Sequence, residues 1–126
     1  AVMAFYKKHV CRLDPWPDCF NRSMEKIGYE VYLYMWGPSE FTMTGTLKNA
    51  DATGRIGQLN IPVLFTCGEF DEATPETTNY YHQLISGSEM HVFQGASHVH
   101  HLEEPEEFGR VVRAFLHQVE SKTTVF

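Results

Sequence analysis

Two acids and a histidine carry most of the chemical possibility in this 126-residue chain. Asp71 and Glu72 follow the apolar run Ile61-Pro62-Val63-Leu64-Phe65-Thr66-Cys67, and His98 follows a second run from Ser88 to Phe93. A carboxylate held against one imidazole nitrogen fixes the tautomer and stabilises the imidazolium. The other ring nitrogen can then take a proton from a nucleophile. Loops at the carboxyl ends of parallel strands are where α/β proteins place such groups. Taken alone, Asp71 is most simply a cap for the helix that follows it, and His98 a surface histidine. Their positions after adjacent strands suggest an acid and a base.

The nucleophile is the missing third. A serine elbow needs G-x-S-x-G on a strand-to-helix turn, and no such segment occurs; nor does an HGGG segment for an oxyanion hole. Ser97 adjoins His98 in Gly95-Ala96-Ser97-His98 instead of being presented to it, and Cys67 lies inside the apolar run. His98, His100 and His101 form H-x-H-H, which is not a standard zinc spacing and has no carboxylate or cysteine placed to complete it. No metal or organic cofactor is implied. Glu103, Glu104, Glu106 and Glu107 read as the acidic start of the last helix, where carboxylates favour the positive end of the dipole.

The elements that must position these groups follow from periodicity. Val2, Phe5, Tyr6, His9, Val10 and Leu13 recur at helical spacing up to about residue 13, where Asp14-Pro15-Trp16-Pro17-Asp18 breaks the helix. Pro17 and Asp18 suit the first turn of a second helix with Phe20, Ser23, Met24 and Ile27 as its buried stripe. Residues 28–36 are dense in aromatics and fit either a helical or a strand period; a short helix is favoured, ended by Gly37-Pro38-Ser39. Residues 44–59 predict polar turns around another short helix. The runs at 62–67 and 88–93 are too short and too branched for helices and predict central parallel strands. Between them Thr74-Pro75-Glu76 opens a helix with a cap, a proline and an acid in the favoured order; Tyr80, Tyr81, Leu84 and Ile85 are its core positions and Gly87 its stop. Residues 95–101 predict a loop. A final helix starts at Pro105 with Phe108, Val111, Val112, Phe115 and Leu116 facing inward, and the tail past Glu120 is expected to fray.

Bulk properties narrow the class. The formal charge of −6 with ten scattered Lys and Arg residues argues against nucleic acid. No run approaches a membrane span, and the amino end shows no signal-peptide pattern. Three cysteines without a CxxC pair suggest reduced thiols and a cytoplasmic setting. One parallel strand pair is too little sheet to stand alone, so further strands are expected from elsewhere. The first residue is Ala1, within helix-like sequence, which reads as a piece of a longer protein.

Three separated motifs, GEFDEATP, GASHVHHLEEPEEF and GPSEFTMTGTLKN, resemble the carboxyl-terminal part of the prolyl iminopeptidase and amino-acid amidase branch of the α/β-hydrolases. The resemblance covers essentially the whole chain. It implies an α/β fold made of a helical cap segment, residues 1–60, followed by the last strand-helix-strand-helix of the parallel sheet, residues 61–126. It also implies Asp71 as triad acid and His98 as triad base, 27 residues apart. Glu40, in GPSEF, and Glu72 match the acids that bind the substrate's free amino group. Two carboxylates converging on one ammonium give charge-assisted bonds and reject blocked substrates. The family's serine and oxyanion hole lie in an amino-terminal half that is not part of this sequence. The activity implied is release of an N-terminal residue, proline or similar, from small peptides or amides, with this chain alone inactive. The remaining readings are an esterase or epoxide-hydrolase-like relative, and an inactive fragment that pairs its sheet edge with the missing half or with a second copy.

Overall fold

The structure, a computed structural model, describes residues 2–123. Two compact units emerge, Ala1–Asp14 with Arg55–Phe126, and Pro15–Gly54. The break at residue 60 expected from the sequence groups residues 1–14 with the cap. The contacts place them with the strands instead. The reason is hydrogen bonding: the carbonyls of His9 and Val10 accept the N–H groups of His98 and Val99 at 3.1 and 3.0 Å.

The larger unit opens with α1 (Val2–His9), which ends four residues before Leu13 as the chain turns into an extended segment. Strand β1 (Leu64–Gly68) pairs in parallel with β2 (Glu89–Phe93), Leu64 opposite Glu89 and Gly68 opposite Phe93. A parallel pair cannot be joined by a tight turn, and α5 (Pro75–Leu84) makes the crossover. Thr74 caps it as expected, its Oγ1 accepting the Thr77 N–H at 3.3 Å with Pro75 in the first turn. Cys11, Cys67, Ile85, Phe93, Ala96 and Val99 are buried here, so Cys67 is the small core residue its apolar neighbours predict.

After β2 the chain departs from expectation. The loop from Gly95 ends early, because α6 (His100–Glu103) forms one helical turn before α7 (Pro105–Thr123). His100 is buried against Phe93, rings stacked at 4.8 Å and 14°. That burial folds residues 100–103 into a turn where the sequence reads as loop. Helix α7 continues through Thr123, beyond the point where fraying was expected, and residues 124–126 lie outside the described residues. Tyr80 and Leu116 are exposed, not buried, at 52% and 49%. Both lie on helices, and the sheet has only two strands among the described residues.

The smaller unit holds α2 (Asp18–Glu25) and α3 (Tyr29–Met35). A short 3-10 helix, Thr46–Asn49, follows, and α4 (Thr53–Ile56) spans the boundary between the units. Pro17 sits at the N-cap of α2, one position before the first helical residue. Phe20 is buried edge-on to Trp16, but Ser23, Met24 and Ile27 are exposed, so the stripe read from spacing is only partly covered. Gly37 ends the aromatic helix with φ at 144°, a backbone region that strongly favours glycine. The Trp36 carbonyl then accepts the N–H groups of Thr44 and Gly45, closing the loop that carries Glu40.

Candidate active site

Two strand ends build the site. At the end of β1, the Asp71 N–H donates to the Gly68 carbonyl at 3.2 Å, turning the chain back under the strand. The Asp71 carboxylate is then fixed from three sides. Its Oδ2 accepts the Gly68 N–H at 3.2 Å, and its Oδ1 accepts the Ala73 N–H at 2.9 Å. His98 Nδ1–H donates to the same Oδ1 at 2.9 Å. Asp71 is not the cap of the following helix, a position Thr74 holds; its Oδ1 closes a turn onto the Ala73 N–H and meets His98 at the same time.

Asp71 has only 2% of its side chain exposed, whereas His98 has 49%. Burial alone would push the Asp71 carboxyl up. The bonds from His98, Ala73 and Gly68 and the charge of His98 outweigh it and hold the group below its ordinary value. An ionised carboxylate can only accept, so His98 must carry its proton on Nδ1. Nε2 then points outward, with Glu72 Oε1 3.9 Å away. This is the geometry of a general base whose tautomer is set by a buried acid.

A second imidazole supports the acid from beneath. His100 Nδ1–H donates to the Ser97 carbonyl at 3.3 Å, and Nε2 accepts from Thr66 Oγ1 at 3.1 Å. Its Nδ1 lies 4.0 Å from Asp71 Oδ2. Burial holds its pKa below the ordinary imidazole value, against the opposing effects of the Ser97 carbonyl and Asp71. His100 is thus a neutral packing and bonding group here. Among the described residues no group of three His, Cys, Asp or Glu side chains could hold a metal ion.

Gly68 is required at the point of closest approach. A Cβ there would fall far inside contact distance of the carbonyl oxygens of Ala96 and Ser97. The absence of a side chain lets the two loops meet at the distance the Asp71–His98 bond needs.

The four residues singled out from sequence are placed as follows. Asp71, Glu72 and His98 come together in the larger unit. Glu40 belongs to the smaller unit, where its Oε1 accepts the Tyr32 hydroxyl at 2.7 Å.

Three contributors escaped the sequence reading. His9 Nδ1–H donates to the Phe70 carbonyl at 2.7 Å, and its own carbonyl accepts the N–H groups of both Glu72 and His98, at 3.3 and 3.1 Å. Arg12 stacks its guanidinium 4.1 Å over the Phe70 ring and donates from Nε to the Gly95 carbonyl at 3.1 Å. Glu103 accepts from Ser97 and from the Arg12 N–H. Much of the bonding of residues 9–12 runs through main-chain groups that every sequence shares, and their side chains reach carbonyls and a ring far along the chain, so no pattern marks them. Glu103 was hidden among four acids.

No family model matches the chain. It is 44% identical, over 94% of its length, to the proline iminopeptidase of Heyndrickxia coagulans, and 36% identical over 99% of its length to that of Saccharolobus solfataricus. It spans 42% and 41% of those two proteins, so about two fifths of the curated relatives it matches. The crystal structure of proline iminopeptidase from Mycobacterium smegmatis superposes with a TM-score of 0.89 at 43% identity, over 96% of this chain and 41% of that one. That of VinJ gives 0.86 at 37%, over 94% and 40%. The fold is therefore that of α/β-hydrolase proteins, and the short parallel sheet with its helices is consistent with a carboxyl-terminal portion.

Proposed function

We propose that this homologue of the proline iminopeptidases supplies the acid and base of a serine hydrolase that releases an N-terminal residue, proline or similar, from small peptides or amides. The observation that carries this reading is the buried Asp71 carboxylate bonded at 2.9 Å to the Nδ1–H of a half-exposed His98. His98 Nε2 takes the proton as a serine hydroxyl attacks the scissile carbonyl, then delivers it to the leaving amine. Asp71 fixes the ring and stabilises the imidazolium. The serine belongs to a segment outside this sequence, in the remaining three fifths of a relative's length.

Glu72 and Glu40 are each assigned as acids for the substrate's ammonium group. Glu72 suits this role because its carboxylate lies 3.9 Å from Nε2, beside the atom that handles the proton. A charge-assisted bond of this kind contributes about 1.5–3 kcal/mol. A cytoplasmic setting, in which Cys11, Cys19 and Cys67 stay reduced, fits three free thiols.

A chimera tests the assignment: this chain replacing the matching 42% of the Heyndrickxia coagulans protein. It should hydrolyse a prolyl arylamide and reject the N-acetylated substrate. Glu40→Gln and Glu72→Gln should each lower kcat/KM for the free amine by about 10–150-fold and leave simple esters nearly unchanged. Equal hydrolysis of free and blocked substrates would favour an esterase instead.

A further inference from the structure

We propose that Glu103 is the positioning residue of this site, its one carboxylate clamping the base loop at Ser97 to the strap at Arg12 so that His98 stays within bonding distance of Asp71. The inference rests on the reading of Asp71 and His98 as acid and base, and assigns work to a residue that touches neither.

Glu103 ends α6, five residues after His98 in the chain. Its Oε1 accepts Ser97 Oγ–H at 2.7 Å, and its Oε2 accepts the Ser97 N–H. The Arg12 N–H donates to Oε1 as well. Three donors from two distant segments thus converge on a single carboxylate. Ser97, fully buried, is bonded directly to His98 along the chain. With its N–H and hydroxyl both fixed, its neighbour's Cα has little latitude.

The other end of the clamp is equally well placed. Residues 9–12 run across both loops of the site, since the His9 carbonyl takes the Glu72 and His98 N–H groups and the Val10 carbonyl takes that of Val99. Arg12 adds its bond to the Gly95 carbonyl and its stacking on Phe70, the residue before Asp71. The strap therefore touches the acid loop and the base loop, and Glu103 adds a carboxylate link to the latter beside the Arg12–Gly95 bond and the main-chain bonds of His9 and Val10. A hydrogen bond that must hold near 2.9 Å tolerates little drift of either partner. Acidity at the start of a helix, the role the sequence suggests for Glu103, does not require three donors aimed at one carboxylate.

A glutamine cannot do the same work. It offers one acceptor oxygen and presents an N–H₂ group where a Ser97 or Arg12 donor already points. The test uses the 126-residue chain itself, by proton and nitrogen NMR of the imidazole rings. In the unaltered chain the His98 Nδ1–H, bonded to the Asp71 carboxylate, should give a low-field resonance slowed in its exchange with water. Glu103→Gln should broaden it or abolish it, with exchange faster by at least about tenfold, the factor corresponding to one lost buried hydrogen bond. The amides of β1 and β2 should stay protected. Ser97→Ala, which removes only the hydroxyl donor, should accelerate exchange in the same direction by less, and decides the matter should Glu103→Gln not fold.

A folded Glu103→Gln chain with the resonance as sharp as before overturns the proposal. So does an unchanged resonance in Ser97→Ala when Glu103→Gln is unfolded. Asp71→Asn separates the two levels, because loss of the charged acceptor moves the resonance upfield. If it does not move, the acid–base reading itself fails and the Glu103 assignment with it. If it moves while Glu103→Gln has no effect, only the Glu103 assignment fails.

Discussion

Replacing Asp71 by Asn removes a charge and turns one acceptor into a donor where only 2% of the side chain meets solvent. In the native arrangement Oδ1 serves Ala73 and His98, both at 2.9 Å, and Oδ2 serves Gly68 at 3.2 Å. An Asn that keeps its oxygen between Ala73 and His98 sets its N–H₂ against the Gly68 N–H. That buried donor is left unsatisfied, at about 1–3 kcal/mol, and the two surviving bonds drop from charge-assisted to neutral, about 1 kcal/mol each. The contributions share one group and do not simply add, so the expected loss is about 2–4 kcal/mol. The pH dependence makes the test sharper. Burial raises the Asp71 pKa, but the bonds from His98, Ala73 and Gly68 prevail and hold it below 3.8. The unfolded chain therefore takes up this proton at a higher pH than the folded chain does. The stability from Asp71 is complete above about pH 3.8 and is lost as pH falls through the lower folded value. Asn resembles the protonated acid and has no such titration. Urea denaturation at neutral pH and at the lowest pH where both chains fold should show a wide gap between parent and variant that narrows in acid. A gap of equal size at both, or one under about 0.5 kcal/mol at neutral pH, would refute the account of how Asp71 is held.

Gly68→Ala should force the Ala96–Ser97 carbonyls outward from the new methyl group, costing about 1–3 kcal/mol in a urea melt. In an active chimera it should also lower kcat by on the order of 100-fold through displacement of His98. His100 has a pKa below 6.5 because it is buried, so the unfolded chain protonates first as pH falls. Its stability contribution is present above about pH 6.5 and declines below it. His100→Gln should flatten the slope of stability between neutral pH and pH 5, read by melts across that range. The chain alone should neither hydrolyse an aminoacyl arylamide nor label with a serine-directed phosphonate; a labelled residue, located by mass spectrometry, would show a nucleophile where the sequence has no elbow.

Much of the frame was legible because it depends on strong local signals. Pro62 and Gly68 bracket a branched apolar run, and β1 forms there. Thr74, Pro75 and Glu76 state the start of α5, and the helix begins at Pro75. Asp71 and His98 were found by their places after strands, and the structure brings them into contact. What escaped was set by tertiary packing. His100 is a loop residue by sequence, but its stacking on Phe93 draws it into α6. Met24 on α2 and Ile27 just past its end sit at buried spacing and are exposed, since periodicity shows which face is apolar and not whether anything covers it. His9 and Arg12 lie some sixty and eighty residues from their partners Phe70 and Gly95, and much of their bonding runs through carbonyl and amide groups. No residue type advertises such a contact.

The measurement that bears most directly on the central claim is kcat/KM for prolyl arylamide in the chimera with and without His98→Ala. Loss of the base should lower it by on the order of 100- to 10,000-fold, while the variant keeps the melting behaviour of its parent. Turnover by the His98→Ala chimera within about threefold of an active parent would contradict the assignment of His98 as the base, and with it the reading of this site.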